Sequence, residues 1–163
     1  MTKTLKALLL NSGMKKPKVI IVTGTPGTGK TTIAKRLAKK ERAVYINVNQ
    51  LIKLHKLDKH FSKRWGSYLV DVDKLNKVLI RLIKEFQKRK QSIIIDSHLA
   101  HYLPSKYVDW GIVTKCSLKK LQHRLKKRRY NARKIRENMD AEIFDVCLLE
   151  AVLNKHKVKV VIT

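Results

Sequence analysis

The chain has 163 residues, 44% of them hydrophobic, and sets 38 Lys+Arg against 12 Asp+Glu for a formal charge of +26. That length fits one compact core, and a second full domain is not expected. Such a charge suits a polyanionic partner, and it equally suits a surface written in lysine for solubility alone.

In chain order, MTKTLKALLLNSG opens with lysines and a short apolar run, Ala7 to Leu10, too short for a signal-peptide core. No segment approaches the ~18 to 20 apolar residues of a membrane span. A soluble cytoplasmic protein is expected, nuclear as well if the source is eukaryotic, with no membrane partner. Residues 1–17 read as an extension, with Leu5, Leu8 and Leu9 at helical spacing, and 18–163 as the domain. Val19 to Thr23 is a β-branched strand, and Thr31 to Lys40 has the apolar spacing of a helix. Ala43 to Val48 reads as a second strand and Leu51 to Leu57 as a short helix. Asp71 or Asp73 caps a longer helix carrying Leu75, Val78, Leu79, Leu82, Ile83 and Phe86. Ser92 to Ile95 is a buried, parallel-type strand, Ile112 to Cys116 a fourth and Val158 to Ile162 a fifth. Helices are expected at Leu118 to Lys127 and Ala132 to Leu153. Alternating strands and helices predict a three-layer α/β domain with a mainly parallel five-stranded sheet and helices on both faces. Cys116 and Cys147 lack C-x-x-C spacing and read as buried, reduced thiols.

Between the first strand and helix lies GTPGTGKT, Gly24 to Thr31, which fits G-x-x-x-x-G-K-[ST]. Backbone N–H groups of such a loop curl around phosphate oxygens, and the helix N-terminus adds partial positive charge. Gly24, Thr25, Pro26, Gly27, Thr28, Gly29, Lys30, Thr31 and Thr32 are therefore candidates to hold the phosphates of ATP. Lys30 would neutralise the β- and γ-phosphates and Thr31 would ligate Mg²⁺. A glycine-rich turn kept for packing is the alternative.

The stretch IIIDSHLAHYLP ends a strand in Asp96, placed to hold Mg²⁺ with Thr31, or else to cap the following turn. His98 follows two residues later. A lone histidine near a loop is more often a satisfied hydrogen-bonding group than a catalyst, and His101 still more so. The densest charge run, Lys115 to Arg136, holds eleven Lys+Arg and no acid. Within it Arg124, Arg128 and Arg129 stand where a mobile segment could close on a transferred phosphoryl group. A solvated basic face explains most of the others.

Three blocks together resemble the adenylate kinase isoenzyme 6 family, the atypical adenylate kinases also described as small-subunit ribosome-assembly ATPases. They are GTPGTGKTTIAKRLA, the D-x-H motif in IIIDSHLAHYLP, and RRYNARKIRENMDAEIFDVCLLEA. The resemblance implies a P-loop nucleoside-monophosphate-kinase-like fold with a short lid near 124–136. It implies catalytic roles for Lys30, Asp96, His98, Arg124 and Arg128, the two arginines also touching ATP. YINVNQLIKLHKL resembles the start of the monophosphate-binding helix, which makes Asn47 and Lys53 AMP candidates. ATP, AMP, a platform ribosomal protein and rRNA are the implied partners, and a monomer is expected. Lys53 stands where the family would have an arginine, and a point charge clamps phosphate less well than a guanidinium. Arg129 stands where the family commonly has glycine. The chain stops at VKVVIT, short of the family's usual last helix, so one sheet face should be partly bare and residues 2–12 should pack there.

Two functions follow. A kinase moving the γ-phosphate onto AMP needs no general base. An ATP-hydrolysing assembly factor must orient water, for which a histidine of pKa near ~6.5 is suited.

Overall fold

A computed structural model describes residues 16–58, 60–62 and 67–163. The helix expected within residues 2–12 lies outside them. In chain order the elements are β1 (Val19–Thr23), α1 (Lys30–Glu41), β2 (Val44–Asn47), α2 (Val48–Leu54), β3 (His60–Ser62), β4 (Ser67–Leu69) and α3 (Val72–Lys88). Then follow β5 (Ile93–Asp96), two 3-10 turns (Ala100–Tyr102 and Ser105–Tyr107), β6 (Trp110–Lys115), α4 (Leu118–Lys127), α5 (Ala132–Ile143), α6 (Val146–Leu153) and β7 (Val158–Ile162).

Five strands form one sheet in the order β2-β5-β1-β6-β7, and each neighbouring pair is parallel. The apolar runs of β1 and β5 are buried throughout, as strands covered on both faces must be. On one face Ile20, Val22, Ile94 and Ile112 pack against Ala34 and Ala38 of α1. On the other Val19, Ile21, Ile93 and Ile95 pack with Ile52 of α2, with Leu75, Leu79 and Ile83 of α3, and with Leu103. The three-layer architecture expected from the sequence is therefore present.

The register sets Val22 of β1 beside Asp96 of β5, and Asn47 of β2 beside the same aspartate. Three carboxyl ends thus open on one crevice, where the chain leaves β1 for a strand that is not its neighbour. Open parallel sheets bind ligands at such a switch point. Gly24 makes the exit from β1 possible. Its φ is +136°, and a Cβ there would lie 2.4 Å from the Thr114 carbonyl oxygen.

Four details depart from the expected elements. The second strand stops at Asn47, whose side chain accepts from the Asn49 and Gln50 amides and starts α2 early, leaving Leu57 buried beyond the helix. Asp71, not Asp73, caps α3 by accepting from the Lys74 amide. A short hairpin, β3 with β4, was not expected. The single helix expected over 132–153 is two, broken at Phe144 and Asp145, where Asp145 takes a left-handed φ of 53° and pairs with Lys115.

Among the described residues no helix is long and apolar enough to cross a membrane. Val160 and Ile162 of β7, with Leu149, Val152 and Leu153 of α6, are exposed.

Candidate active site

The phosphate loop is fixed from beneath by threonines. The Thr28 hydroxyl donates to the Thr25 carbonyl at 2.8 Å and shares a 2.7 Å hydrogen bond with the Thr114 hydroxyl, whose oxygen also lies 3.2 Å from the Thr23 carbonyl. All four residues are fully buried, so these bonds satisfy groups that water cannot reach. Above them opens a cleft of about 610 Å³, lined by Pro26, Gly27, Gly29, Lys30, Thr31 and Thr32, by Asp96 and His98, by Asn47 and Lys53, and by Arg128 and Tyr130.

Lys30 folds over its own loop and donates to the Gly24 and Thr25 carbonyls at 2.7 and 3.0 Å. Burial lowers its pKa to about 8. A phosphate at the loop would give the ammonium a charged partner in place of two carbonyls.

Asp96 is buried at the end of β5 and receives two hydroxyls on one oxygen, Oδ2: Thr31 donates at 2.7 Å and Tyr45 at 2.8 Å. Burial, and then the bond to this carboxylate, push the Tyr45 phenol up to about 12. Because Thr31 gives its proton to Asp96, its oxygen lone pairs are left for a cation. Hydroxyl and carboxylate oxygens are hard donors that fit Mg²⁺, and among the described residues no His/Cys/Asp/Glu cluster suits a softer metal.

His98 lines both this cleft and a second cavity of about 310 Å³. Part of the ring is open to solvent, yet cleft walls enclose the rest. That enclosure, and next the positive charge of Lys30, lower its pKa to about 4. The shift from the ordinary ~6.5 is downward and favours the uncharged imidazole.

His101, ranked lower from the sequence, is buried as a structural group. Its Nδ1 lies 2.8 Å from the Thr23 hydroxyl and its Nε2 2.8 Å from Glu150 Oε2. An ionised Glu150 can only accept, so Nε2 carries the proton and Nδ1 accepts from Thr23. Tyr102 donates to the other Glu150 oxygen at 2.9 Å, and the His156 Nε2 meets the His101 carbonyl at 3.0 Å. The chain ties β1, just before the phosphate loop, to α6.

The two arginines of the lid region separate. Arg128 lines the cleft. Arg124 lies behind the loop, where Nη1 donates to the Gly27 carbonyl at 3.2 Å and to the Thr163 hydroxyl at 3.0 Å, while that hydroxyl donates to the Thr28 carbonyl at 2.7 Å. Arg129 has a φ of 57°. Its amide donates to the Lys126 carbonyl and that of Tyr130 to the Leu125 carbonyl, a Schellman turn ending α4. Glycine is the residue such a position favours. Cys116 is buried, Cys147 is half-buried beside the loop, and both are free thiols.

Sequence reasoning missed Tyr45, Thr23, Thr114 and Glu150. Each acts across strands or helices whose adjacency no local pattern announces; only the shared register of β2 and β5 brings Tyr45 to Asp96.

Residues 20–145 match the family described as AAA domain. An adenylate kinase isoenzyme 6 homolog from Schizosaccharomyces pombe is 37% identical over 132 residues, covering 81% of this chain and 73% of its own length. One from Dictyostelium discoideum is 34% identical over 155 residues, covering 94% and 83%. Among solved structures, a sugar kinase from Janibacter sp. HTCC2649 superposes with a TM-score of 0.60 at 18% identity, covering 90% of this chain and 85% of that one, a likeness of fold.

Proposed function

We propose, on the premise that the chain belongs to the adenylate kinase isoenzyme 6 family, that it transfers the γ-phosphoryl group of ATP to AMP and also hydrolyses ATP. A nucleotide kinase is what its relatives support. The observation that carries the finer reading is that one continuous cleft holds the phosphate loop and, opposite it, Asn47 and Lys53. A donor and an acceptor phosphate can then be held in the same cleft.

In this reading the loop amides and Lys30 bind the β- and γ-phosphates, and Arg128 offers charge to the transferred group. Lys53 orients the acceptor phosphate as a point charge, and Asn47 contacts the nucleotide beside it. Arg124 acts through the loop, by donating to the Gly27 carbonyl and to the Thr163 hydroxyl, which in turn donates to the Thr28 carbonyl. Thr31 and Asp96 would hold Mg²⁺, which supplies charge neutralisation between the terminal phosphates. The acceptor is already an anionic oxygen, so positioning suffices and no general base is needed.

Hydrolysis is different, because water must be oriented. His98, uncharged at neutral pH and lining the cleft, can accept a hydrogen bond from that water. This supports a second reading, in which ATP turnover drives assembly of a small ribosomal subunit through a platform ribosomal protein and rRNA, with little transfer to AMP. The two are separated by measuring ADP formation from ATP with and without AMP, in wild type and His98→Ala. We expect His98→Ala to lose at least tenfold in hydrolysis while transfer to AMP changes less than threefold. Equal loss of both rates would reduce His98 to a shape-giving residue. Absence of AMP-stimulated ADP formation in the wild type would leave the assembly reading alone.

A further inference from the structure

We propose that Tyr45 is a positioning residue for the cation site: its hydroxyl fixes Asp96 so that the carboxylate oxygen it does not touch, Oδ1, faces a bound Mg²⁺. The inference rests on the assignment of Thr31 and Asp96 to that cation.

Three observations carry it. Tyr45 and Thr31 reach the same oxygen, Oδ2, at 2.8 and 2.7 Å. Two donors on one oxygen hold the carboxylate in one orientation more firmly than one donor does. Asp96 is 6% exposed, so little water is available to replace a lost hydroxyl. The tyrosine itself is held. Its ring packs into the core on the α1 side, with Lys35 Nζ 5.7 Å from the ring centre. Its place on β2 is set by pairing along β5, Tyr45 beside Ile94 and Asn47 beside Asp96.

Tyrosine is suited to this task by length. Its hydroxyl stands at the end of a rigid ring that spans from one strand to the strand-end carboxylate of its neighbour. Phenylalanine at the same place keeps the packing and removes the one bond in question. A hydrogen bond to a charged acceptor contributes on the order of tenfold to an equilibrium, and here the equilibrium is cation binding.

The test is calorimetric titration of ADP, in EDTA and across a Mg²⁺ series, for wild type, Tyr45→Phe and Asp96→Asn, with melting temperatures alongside. Tyr45→Phe should bind ADP in EDTA within twofold of wild type. The Mg²⁺ concentration that half-saturates the metal-dependent gain should rise about tenfold, with the melting temperature lowered by no more than about 3 °C. An unchanged Mg²⁺ requirement in Tyr45→Phe, beside a lost one in Asp96→Asn, would overturn the role of Tyr45 alone. Unchanged Mg²⁺ requirement in Asp96→Asn would remove the cation assignment itself. Equal weakening of ADP binding in EDTA, or a large drop in melting temperature, would make Tyr45 a packing residue and sink the proposal.

Discussion

His101 shows how one buried side chain can serve the phosphate loop without touching a nucleotide. It bridges Thr23 and Glu150, and burial, opposed by the Glu150 carboxylate, lowers its pKa below the ordinary 6.5. The folded chain therefore resists protonation that the unfolded chain accepts as pH falls through ~6.5. Stability from this group is fully present above that pH and is lost below it, toward the folded pKa. The groups facing it are Glu150, His156 and Lys30. We expect the wild-type melting temperature to fall between pH 7 and 5, and to fall less steeply in His101→Gln. At pH 7 that variant should lose about 1 to 3 kcal/mol, the effect of leaving the Thr23 and Glu150 partners unpaired. Parallel melting curves for the two proteins across that range would assign the acid sensitivity elsewhere.

Elements differ in how openly the sequence announces them. β1, the phosphate loop, α1 and β5 were legible, because a motif and an uninterrupted apolar run coincide there. The break between α5 and α6 was not, since Phe144 and Leu148, four residues apart, continue a helical spacing and only the left-handed Asp145 interrupts it. The β3–β4 hairpin has three-residue strands, too short for alternation to show. Of the site, the loop, Asp96, His98, Lys53 and Arg128 were named from sequence and share the cleft, whereas the hydroxyls that fix Asp96 and the loop act at long range. Arg129 was singled out as a non-glycine in a glycine position, and the turn ending α4 explains why. At the left-handed place of a Schellman motif an L-residue costs about 1 kcal/mol more than glycine. Arg129→Gly should therefore stabilise the fold by about that amount and raise the melting temperature by roughly 2 to 4 °C. A lower melting temperature would mean that the exposed guanidinium makes a contact worth more than the strain.

At the scale of the whole molecule the charge of +26 still divides the two functional readings. Part of the cationic run is engaged within the protein: Arg124 braces the loop, Arg133 and Arg136 pair with Glu137 and Asp140 one turn on, and Lys115 pairs with Asp145. Lys119, Lys126 and Lys127 on α4 are exposed, next to Arg128 and Arg129 at its end. A helix of this kind contacts phosphates rather than bases, because it has charge without interleaved aromatic rings. If RNA is a partner, a 20-nucleotide oligo(U) should bind at ~50 mM salt, and its affinity should fall as a power of salt concentration. About five phosphate contacts would give a slope near −3.5. Oligo(A) should bind within a few-fold of oligo(U). Replacing Lys119, Lys126 and Lys127 together with glutamine should flatten the slope by about two units while sparing ADP formation, since none of the three lines the cleft. No binding at ~50 mM salt would return the charge to solubility and leave phosphoryl transfer as the function to be explained.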